Sequence, residues 1–152
     1  MSTKARNTLL ILAGIMLGIG FADASFLFYK YITADPINCF IFDGCNTVAK
    51  SPYAYVFGIP LPAFGLVFYG VMLGIFGALV FIRRNIVKTL FLLGGLVGFL
   101  FSLWFVYLQG FVIGAFCIYC LISAADSVVI FCTAIMLFMD KQETLGKVDG
   151  VY

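Results

Sequence analysis

The chain alternates long apolar runs with short polar segments, and the runs predict helices that cross a membrane. The first run, residues 8–29, would rise roughly 33 Å as a helix, enough for a bilayer core. A cleaved signal peptide is disfavoured there, because its apolar region would be shorter. The second run covers residues 58–82. It contains Pro60 and Pro62 near its start, where a helix tolerates proline because its first N–H groups have no helical partner.

A third apolar stretch, from Thr89 to Met139, is too long for one membrane span. It therefore predicts two helices, at about residues 89–110 and 116–139. Gln109-Gly110 and Gly114 are the residues in it that could break a helix. The pattern predicts an all-α integral membrane protein, a four-helix transmembrane bundle forming one domain over residues 1–152. A loop or short helix of about residues 30–57 would join the first two spans, and a polar tail would close the chain.

The composition supports the membrane assignment and excludes several kinds of catalytic and metal site. The chain is 64% hydrophobic and 11% charged, whereas a soluble domain is about half apolar and about a quarter charged. It contains no histidine, which excludes Ser-His and Cys-His nucleophiles and histidine-ligated metals and haems. The net charge of +2 comes with no basic run, so we expect no nucleic-acid partner.

The distribution of lysine and arginine predicts the orientation. Cytoplasmic loops carry an excess of these residues, and seven of the nine precede the first predicted span, join the second to the third or follow the fourth: Lys4, Arg6, Arg83, Arg84, Lys88, Lys141 and Lys147. Lys30 and Lys50 lie on the other side. Both termini are thus predicted to be cytoplasmic in a multi-pass protein of the cell membrane. The loop of residues 30–57 and the turn before Cys117 would then face the outside.

Four of the five cysteines fall at that outer, oxidising face. Cys39 and Cys45 lie six apart in the polar loop, while Cys117 and Cys120 open the fourth span. The loop pair alone is compatible with a static bracing disulfide. A four-thiolate metal site is disfavoured, because such sites combine two closely spaced pairs in a soluble knuckle, so we expect no metal. Cys132 lies roughly 18 Å deeper on a helix, and we expect it to be a small core residue.

Cys117 and Cys120 are better explained by catalysis than as inert thiols. Residues at i and i+3 share a helix face, and the free N–H groups of a helix N-terminus favour a thiolate. A disulfide between them would close a tiny loop and stabilise little. Cys117 would face the cysteine loop, and Cys120, roughly 4–5 Å deeper, would face the lipid. Direct thiol–disulfide exchange could then link the loop pair to a two-electron acceptor dissolved in lipid, for which a quinone is the natural choice.

The sequence resembles the bacterial and archaeal homologues of vitamin K epoxide reductase. The resemblance extends from Thr8 to Met139 and rests on Cys39 and Cys45, on Ser51 six residues later, on "FGIPLPAFG" at 57–65, and on "CIYCLISA" at 117–124. It implies a four-helix bundle around a quinone, ubiquinone or menaquinone. The implied path takes electrons from a thioredoxin-fold, DsbA-like partner into Cys39 and Cys45, then to Cys117, and through Cys120 to the quinone.

The resemblance also implies roles for residues around the cysteines. Ser51 matches a Ser/Thr position beside the cysteine network, and residues 51–58 match a short amphipathic helix over the pocket mouth. Phe64 and Phe68 match aromatic residues that line the quinone pocket, although plain packing is the alternative. Leu61 and Ala124 match two further quinone-contacting positions, where animal members have an asparagine and a tyrosine that contact vitamin K. Reduction of a plain quinone is therefore expected rather than of vitamin K epoxide. No fused thioredoxin domain is expected, so the partner would be a separate protein.

Two carboxyls and two rival assignments stay open at this point. Asp23 and Asp126 fall within predicted spans, where carboxyls are costly and often functional. They could serve a proton path or could simply be neutral or hydrogen-bonded in the bundle.

A DsbB-like protein also has four spans and two cysteine pairs, but with the pairs in the reverse order. A structural or transport tetraspan with a bracing Cys39–Cys45 disulfide is the alternative outside redox chemistry.

Overall fold

The structure is a computed structural model that describes residues 2–37, 39, 44–82 and 84–148. Its long helices are α1 (Thr3–Thr33), α3 (Leu61–Ile82), α4 (Asn85–Tyr107) and α5 (Ile118–Val148), and a short helix α2 spans Cys45–Ala49. A 3₁₀ turn at Pro52–Ala54 leads into a small hairpin of β1 (Tyr55–Val56) and β2 (Ile59–Pro60), and a π-helical turn at Leu108–Ile113 extends α4. Residues 38 and 40–43 of the predicted cysteine loop lie outside the described residues.

The four long helices pack into one antiparallel bundle. α1 contacts α3 and α5, and α4 contacts α3 and α5. Its core includes Leu17, Met72, Phe91 and Ile130, one from each helix and each at most 1% exposed. Many large apolar side chains point outward instead, such as Phe81, which is 87% exposed. An apolar surface around an apolar core is what a lipid environment demands.

The helices reach the length needed to cross a bilayer. Within the described residues, four helical stretches are long and apolar enough to do so: Thr3–Thr33, Leu61–Ile82, Asn85–Ile113 and Ile118–Met139. The predicted fold class, an all-α membrane protein with four spans, is confirmed. The helices begin and end differently from the predicted spans, because α1 is longer at both ends and α5 continues through the predicted polar tail to Val148.

The third span ends at Gly114, one of the two candidate helix breakers, whose φ of 69° is left-handed. At the other candidate, Gln109-Gly110, the backbone widens into a π-helical turn that continues to Ile113. One local expectation was wrong. Residues 51–58 form the 3₁₀ turn and half of the hairpin rather than an amphipathic helix. Phe57 and Gly58 both have positive φ there, the backbone pattern of a two-residue hairpin turn. Pro60 is already in β2, so the second long helix starts at Leu61, with Pro62 in its first turn.

Candidate functional site

The loop cysteines are joined at the start of α2. Cys39 and Cys45 form a disulfide with 6.1 Å between their Cα atoms, a spacing usual for disulfides. The chain before it is held to the same helix, since the Asn46 side chain accepts a hydrogen bond from the Ile37 N–H at 2.9 Å and donates one to the Ile37 carbonyl at 3.2 Å. The disulfide and Asn46 together hold Cys39 and Ile37 against α2.

Gly44 sets this loop directly against the turn before α5. A Cβ atom added at Gly44 would lie 2.6 Å from the carbonyl oxygen of Phe116 and 2.9 Å from its backbone nitrogen. Such distances are too short for any side chain, so the close approach requires glycine. Because Gly44 and Phe116 each precede a cysteine in sequence, the contact brings Cys45 and Cys117 to the same place.

All four predicted cysteines meet in one apolar cluster. Cys45 and Cys117 are 1% and 2% exposed and belong to the same buried cluster, with Cys39 and Cys120 packed against it. Cys117 and Cys120 are free thiols whose side chains are hydrogen-bonded to each other. The structure therefore places a disulfide beside a dithiol, and it sets the two most buried sulfurs, one from each pair, in a common environment.

The surroundings of Cys117 favour its thiolate. Cys117 lies just before the first residue of α5, and the hydrogen bond from the Cys120 thiol lowers its pKa. The backbone N–H groups of Cys120 and Tyr119 act in the same direction, while burial opposes them. A thiolate is the form that attacks or leaves in disulfide exchange, so Cys117 is suited to exchange with the neighbouring pair.

Gln109 holds the segment that carries Cys117 and was not identified as a site residue from the sequence. Its side-chain oxygen accepts the Cys117 N–H at 2.8 Å, and its backbone oxygen accepts the Ala115 N–H at 3.2 Å. The side chain is fully buried. The available signal was a lone amide within a long apolar run, which suggested only a helix break. The π-helical turn directs this amide inward, where it supports the end of the turn before α5.

A cavity of about 260 Å³ opens between the helices beside the cysteines. Its lining is mostly apolar and includes Cys45, Cys117 and Cys120, together with Leu61, Phe64 and Phe68, three of the predicted quinone-contacting residues. Tyr69 and Ser123 also line it. The sequence does not indicate either residue, because a single tyrosine or serine in an apolar helix carries no distinctive pattern. The cavity size is near the lower end of the range of roughly 300–1,000 Å³ typical of small-molecule sites.

Other predicted residues lie away from the cavity. Ala124 is not among its lining residues. Ser51 is also outside the lining, and its hydroxyl donates to the Val48 carbonyl at 2.8 Å, at the end of α2. Cys132 is exposed on the outside of the bundle, so the expectation of a core position was wrong.

Within the described residues, no group of three or more Cys, Asp or Glu side chains is placed to hold a metal ion.

The chain is similar to a known protein family and to a characterised plant protein. The sequence profile of the vitamin K epoxide reductase family matches residues 10–135, which is most of the chain. A plant protein, the thiol-disulfide oxidoreductase LTO1 of Arabidopsis thaliana, is 45% identical over 51 residues; this match covers 33% of the chain and 14% of LTO1. The chain thus matches only a small part of that relative's length.

The family match agrees with the resemblance found in the cysteine spacing and with the four membrane-spanning helices. It covers the disulfide, the dithiol and all residues of the cavity. The chain belongs to the vitamin K epoxide reductase family.

Proposed function

We propose that the protein is a thiol-disulfide oxidoreductase that carries two electrons from a reduced, DsbA-like thioredoxin-fold protein to a membrane quinone. The observation that carries this proposal is the placement of a disulfide and a dithiol in one buried cluster beside an apolar cavity. A structural tetraspan needs the Cys39–Cys45 disulfide but has no use for two free thiols next to it.

Electrons enter at the loop pair. A thiolate of the partner attacks Cys39, and Cys45 leaves as a thiolate; the partner's second thiol then displaces Cys39, so that the partner is oxidised and the loop pair is reduced. Cys39 is the entry point because it is partly exposed whereas Cys45 is buried. This step moves two electrons onto Cys39 and Cys45 and forms the partner's disulfide.

Electrons then pass to the second pair. The Cys45 thiolate attacks Cys117 of an oxidised Cys117–Cys120 pair and releases Cys120, after which Cys39 attacks Cys45 and releases Cys117. The loop disulfide is restored and Cys117 and Cys120 become a dithiol, which is the combination in this structure. The shared burial of Cys45 and Cys117 supports their direct exchange.

The cavity suits a quinone as the electron acceptor. Its apolar lining would hold the ring, Phe64 and Phe68 offer aromatic faces, and Leu61 lies at the same wall. Cys120 lines the cavity and is three residues further along the fourth span than Cys117, roughly 4–5 Å deeper. A bound quinone would supply an acceptor for two electrons and two protons, and either ubiquinone or menaquinone has this chemistry. Ser51, which bonds to the end of α2, would steady the helix that begins with Cys45.

The charge distribution supports a location in the cell membrane with both termini cytoplasmic. The cysteine cluster would then lie at the outer face, where protein thiols become oxidised and disulfide bonds are made. In this setting the net reaction supports disulfide formation in exported proteins.

The test is quinone reduction by purified protein with a reduced thioredoxin-fold protein, followed by quinone absorbance with short-tailed ubiquinone and menaquinone. We expect turnover by the wild type, and a loss of at least about 100-fold in Cys120→Ala and in Cys117→Ala, since each removes a step of the path. Cys132→Ser is the matched control and should keep full activity, because Cys132 lies outside the cluster. Absence of wild-type turnover with both quinones, or full turnover in Cys120→Ala, would overturn the proposal.

A further inference from the structure

A polar cluster lies inside the bundle, on the membrane side of the cysteines. It consists of Asp23 from α1, Tyr69 from α3, and Ser123 and Asp126 from α5. The Tyr69 hydroxyl is 3.0 Å from the Ser123 hydroxyl, and Asp23 and Asp126 are close enough to interact electrostatically. Gly20 makes room for the cluster, because a Cβ atom there would collide with the Tyr69 ring and lie 2.6 Å from a carboxyl oxygen of Asp126.

Asp126 is not explained by a structural role. It is 3% exposed; the Tyr69 hydroxyl lies close enough to interact with it, yet neither carboxyl oxygen has a hydrogen-bond partner of good geometry among the described residues. Buried polar atoms that stabilise a fold are almost always hydrogen-bonded. In addition, α3 has no lysine or arginine, and neither has α5 before residue 141. Such a costly arrangement within a membrane span points to function, and proton relays are one of the functions that such residues serve.

The cluster borders the cavity that also contains Cys120. Asp23, Tyr69 and Ser123 all line that cavity, so they face the same space as the cysteine that would deliver electrons. Asp126 is nearly two helical turns beyond Cys120 on α5, roughly 9 Å along the axis. The cavity thus has a sulfur near its outer end and a group of hydroxyl and carboxyl side chains deeper in the bundle.

The proposed reaction needs a proton at each of two separated atoms. Oxidation of the Cys117–Cys120 dithiol to a disulfide releases two electrons and two protons, and reduction of a quinone to a quinol consumes the same. The two quinone oxygens lie on opposite sides of the ring, so a single thiol cannot serve both; Cys120, which lines the cavity, would serve one of them. The other oxygen needs a donor elsewhere in the cavity, and Leu61, Phe64 and Phe68 have no proton to give.

We propose that Asp23 delivers the second proton, to the quinone oxygen remote from Cys120, while Tyr69 positions that oxygen and Asp126 exchanges the proton with Asp23. This rests on the proposed function. One proton passes from Cys120 to the near oxygen and one from Asp23 to the remote oxygen, as the S–S bond forms. The proton of Cys117 is released to water, and the Asp23–Asp126 pair takes one proton back from water, which balances the reaction.

The first test separates proton delivery from electron entry. Wild type, Asp23→Asn and the control Asp35→Asn are compared; Asp35 is an exposed carboxyl paired with Lys30, outside the cluster. In single-turnover reduction of a short-tailed quinone, Asp23→Asn should be slower by about 100-fold, the usual contribution of a positioned proton donor, with little change in KM. Reduction of Cys39–Cys45 by dithiothreitol should be unchanged. Asp35→Asn should match the wild type, and Asp23→Glu should recover part of the rate.

The second test does not depend on turnover. Infrared difference spectra are recorded as the short-tailed quinone binds to fully oxidised protein, in which no electrons can move. We expect a shift of a carboxyl C=O band in the wild type that Asp23→Asn abolishes. If the wild type reduces quinone but shows no carboxyl shift, or if Asp23→Asn reduces quinone at the wild-type rate, proton delivery by Asp23 is overturned and the oxidoreductase function stands. If the wild type reduces no quinone, it is the proposed function that fails.

Discussion

Cys117 shows how much the chemistry of one residue depends on its immediate neighbours. It receives hydrogen bonds from the Cys120 thiol and from backbone N–H groups at the start of α5, while its own N–H is held by Gln109. The first set stabilises negative charge on sulfur, and the second fixes the backbone that carries it. Both sets are needed because Cys117 is only 2% exposed, and an unsupported thiolate would be unfavourable in such a buried position.

This environment predicts the pH dependence of Cys117 alkylation. A lowered pKa means that half of Cys117 is thiolate at a lower pH than for an ordinary cysteine, near 8.5, so alkylation by iodoacetamide should reach half its plateau rate below that pH. Cys120→Ala removes the largest stabilising interaction and should move the midpoint upward. Rates are read by mass spectrometry of the Cys117 peptide. Cys132→Ser should leave the midpoint unchanged, and an equal midpoint in Cys120→Ala would contradict the assignment.

At the scale of elements, the site is made by the ends of helices and by the turns between them. α2 begins with Cys45, and α5 begins immediately after Cys117. The two helix starts are held together by the close contact of Gly44 with the backbone of Phe116. The hairpin of β1 and β2 replaces the expected helix because Phe57 and Gly58 adopt left-handed backbone conformations, which a helical pattern of apolar residues does not reveal.

The close contact at Gly44 predicts that Gly44→Ala slows disulfide exchange between Cys45 and Cys117. Gly44→Ala would force α2 away from the backbone of Phe116, at a cost of about 1–3 kcal/mol for overpacking. We expect the Cys45–Cys117 mixed disulfide to form about tenfold more slowly, since a factor of ten corresponds to about 1.4 kcal/mol. The measurement is non-reducing peptide mapping over time in a Cys39→Ala background.

Gly74→Ala is the matched control for this change, because nothing lies within 4 Å of a Cβ atom at Gly74. It should leave the exchange rate unchanged, and as a helical substitution it should raise stability by up to about 1 kcal/mol. A Gly44→Ala protein that forms the mixed disulfide as fast as the wild type would show that the contact does not control the approach of Cys45 to Cys117.

At the scale of the whole molecule, the bundle places both cysteine pairs at one end. Four successive antiparallel helices put the connection between α1 and α3 on the same side as the turn before α5. The polar cluster of Asp23, Tyr69, Ser123 and Asp126 lies deeper, and the cavity joins the two regions. Electrons would therefore enter at the membrane face and reach an acceptor within the apolar region without crossing the membrane.

This arrangement predicts the accessibility of two engineered cysteines. Thr47 in α2 and Ser2 before α1 are both exposed and lie at opposite ends of the bundle. In a Cys132→Ser background, a membrane-impermeant maleimide should label Thr47→Cys in intact cells and label Ser2→Cys only after permeabilisation. The physical reason is the excess of Lys and Arg on the Ser2 side. Labelling of Ser2→Cys alone in intact cells would reverse the proposed orientation.

The sequence was sufficient for some features of the site and insufficient for others. The spacing of Cys117 and Cys120 and their position before an apolar run located the second pair, because a helix start is visible in sequence. The inward amide of Gln109 and the exposed position of Cys132 were not predictable. Both depend on the rotation of α4 and α5, and a helix that is apolar on all sides gives no indication of which face meets its neighbours.

The sequence by itself determined the membrane class, the four spans and the two cysteine pairs, since apolar length, charge asymmetry and residue spacing act locally along the chain. Only the tertiary structure decided that Cys45 and Cys117 share one buried cluster and that Asp23, Tyr69 and Asp126 meet beside the cavity. These contacts join residues far apart in sequence. They depend on how closely helices approach, which here is set by the absence of a side chain at Gly20 and Gly44.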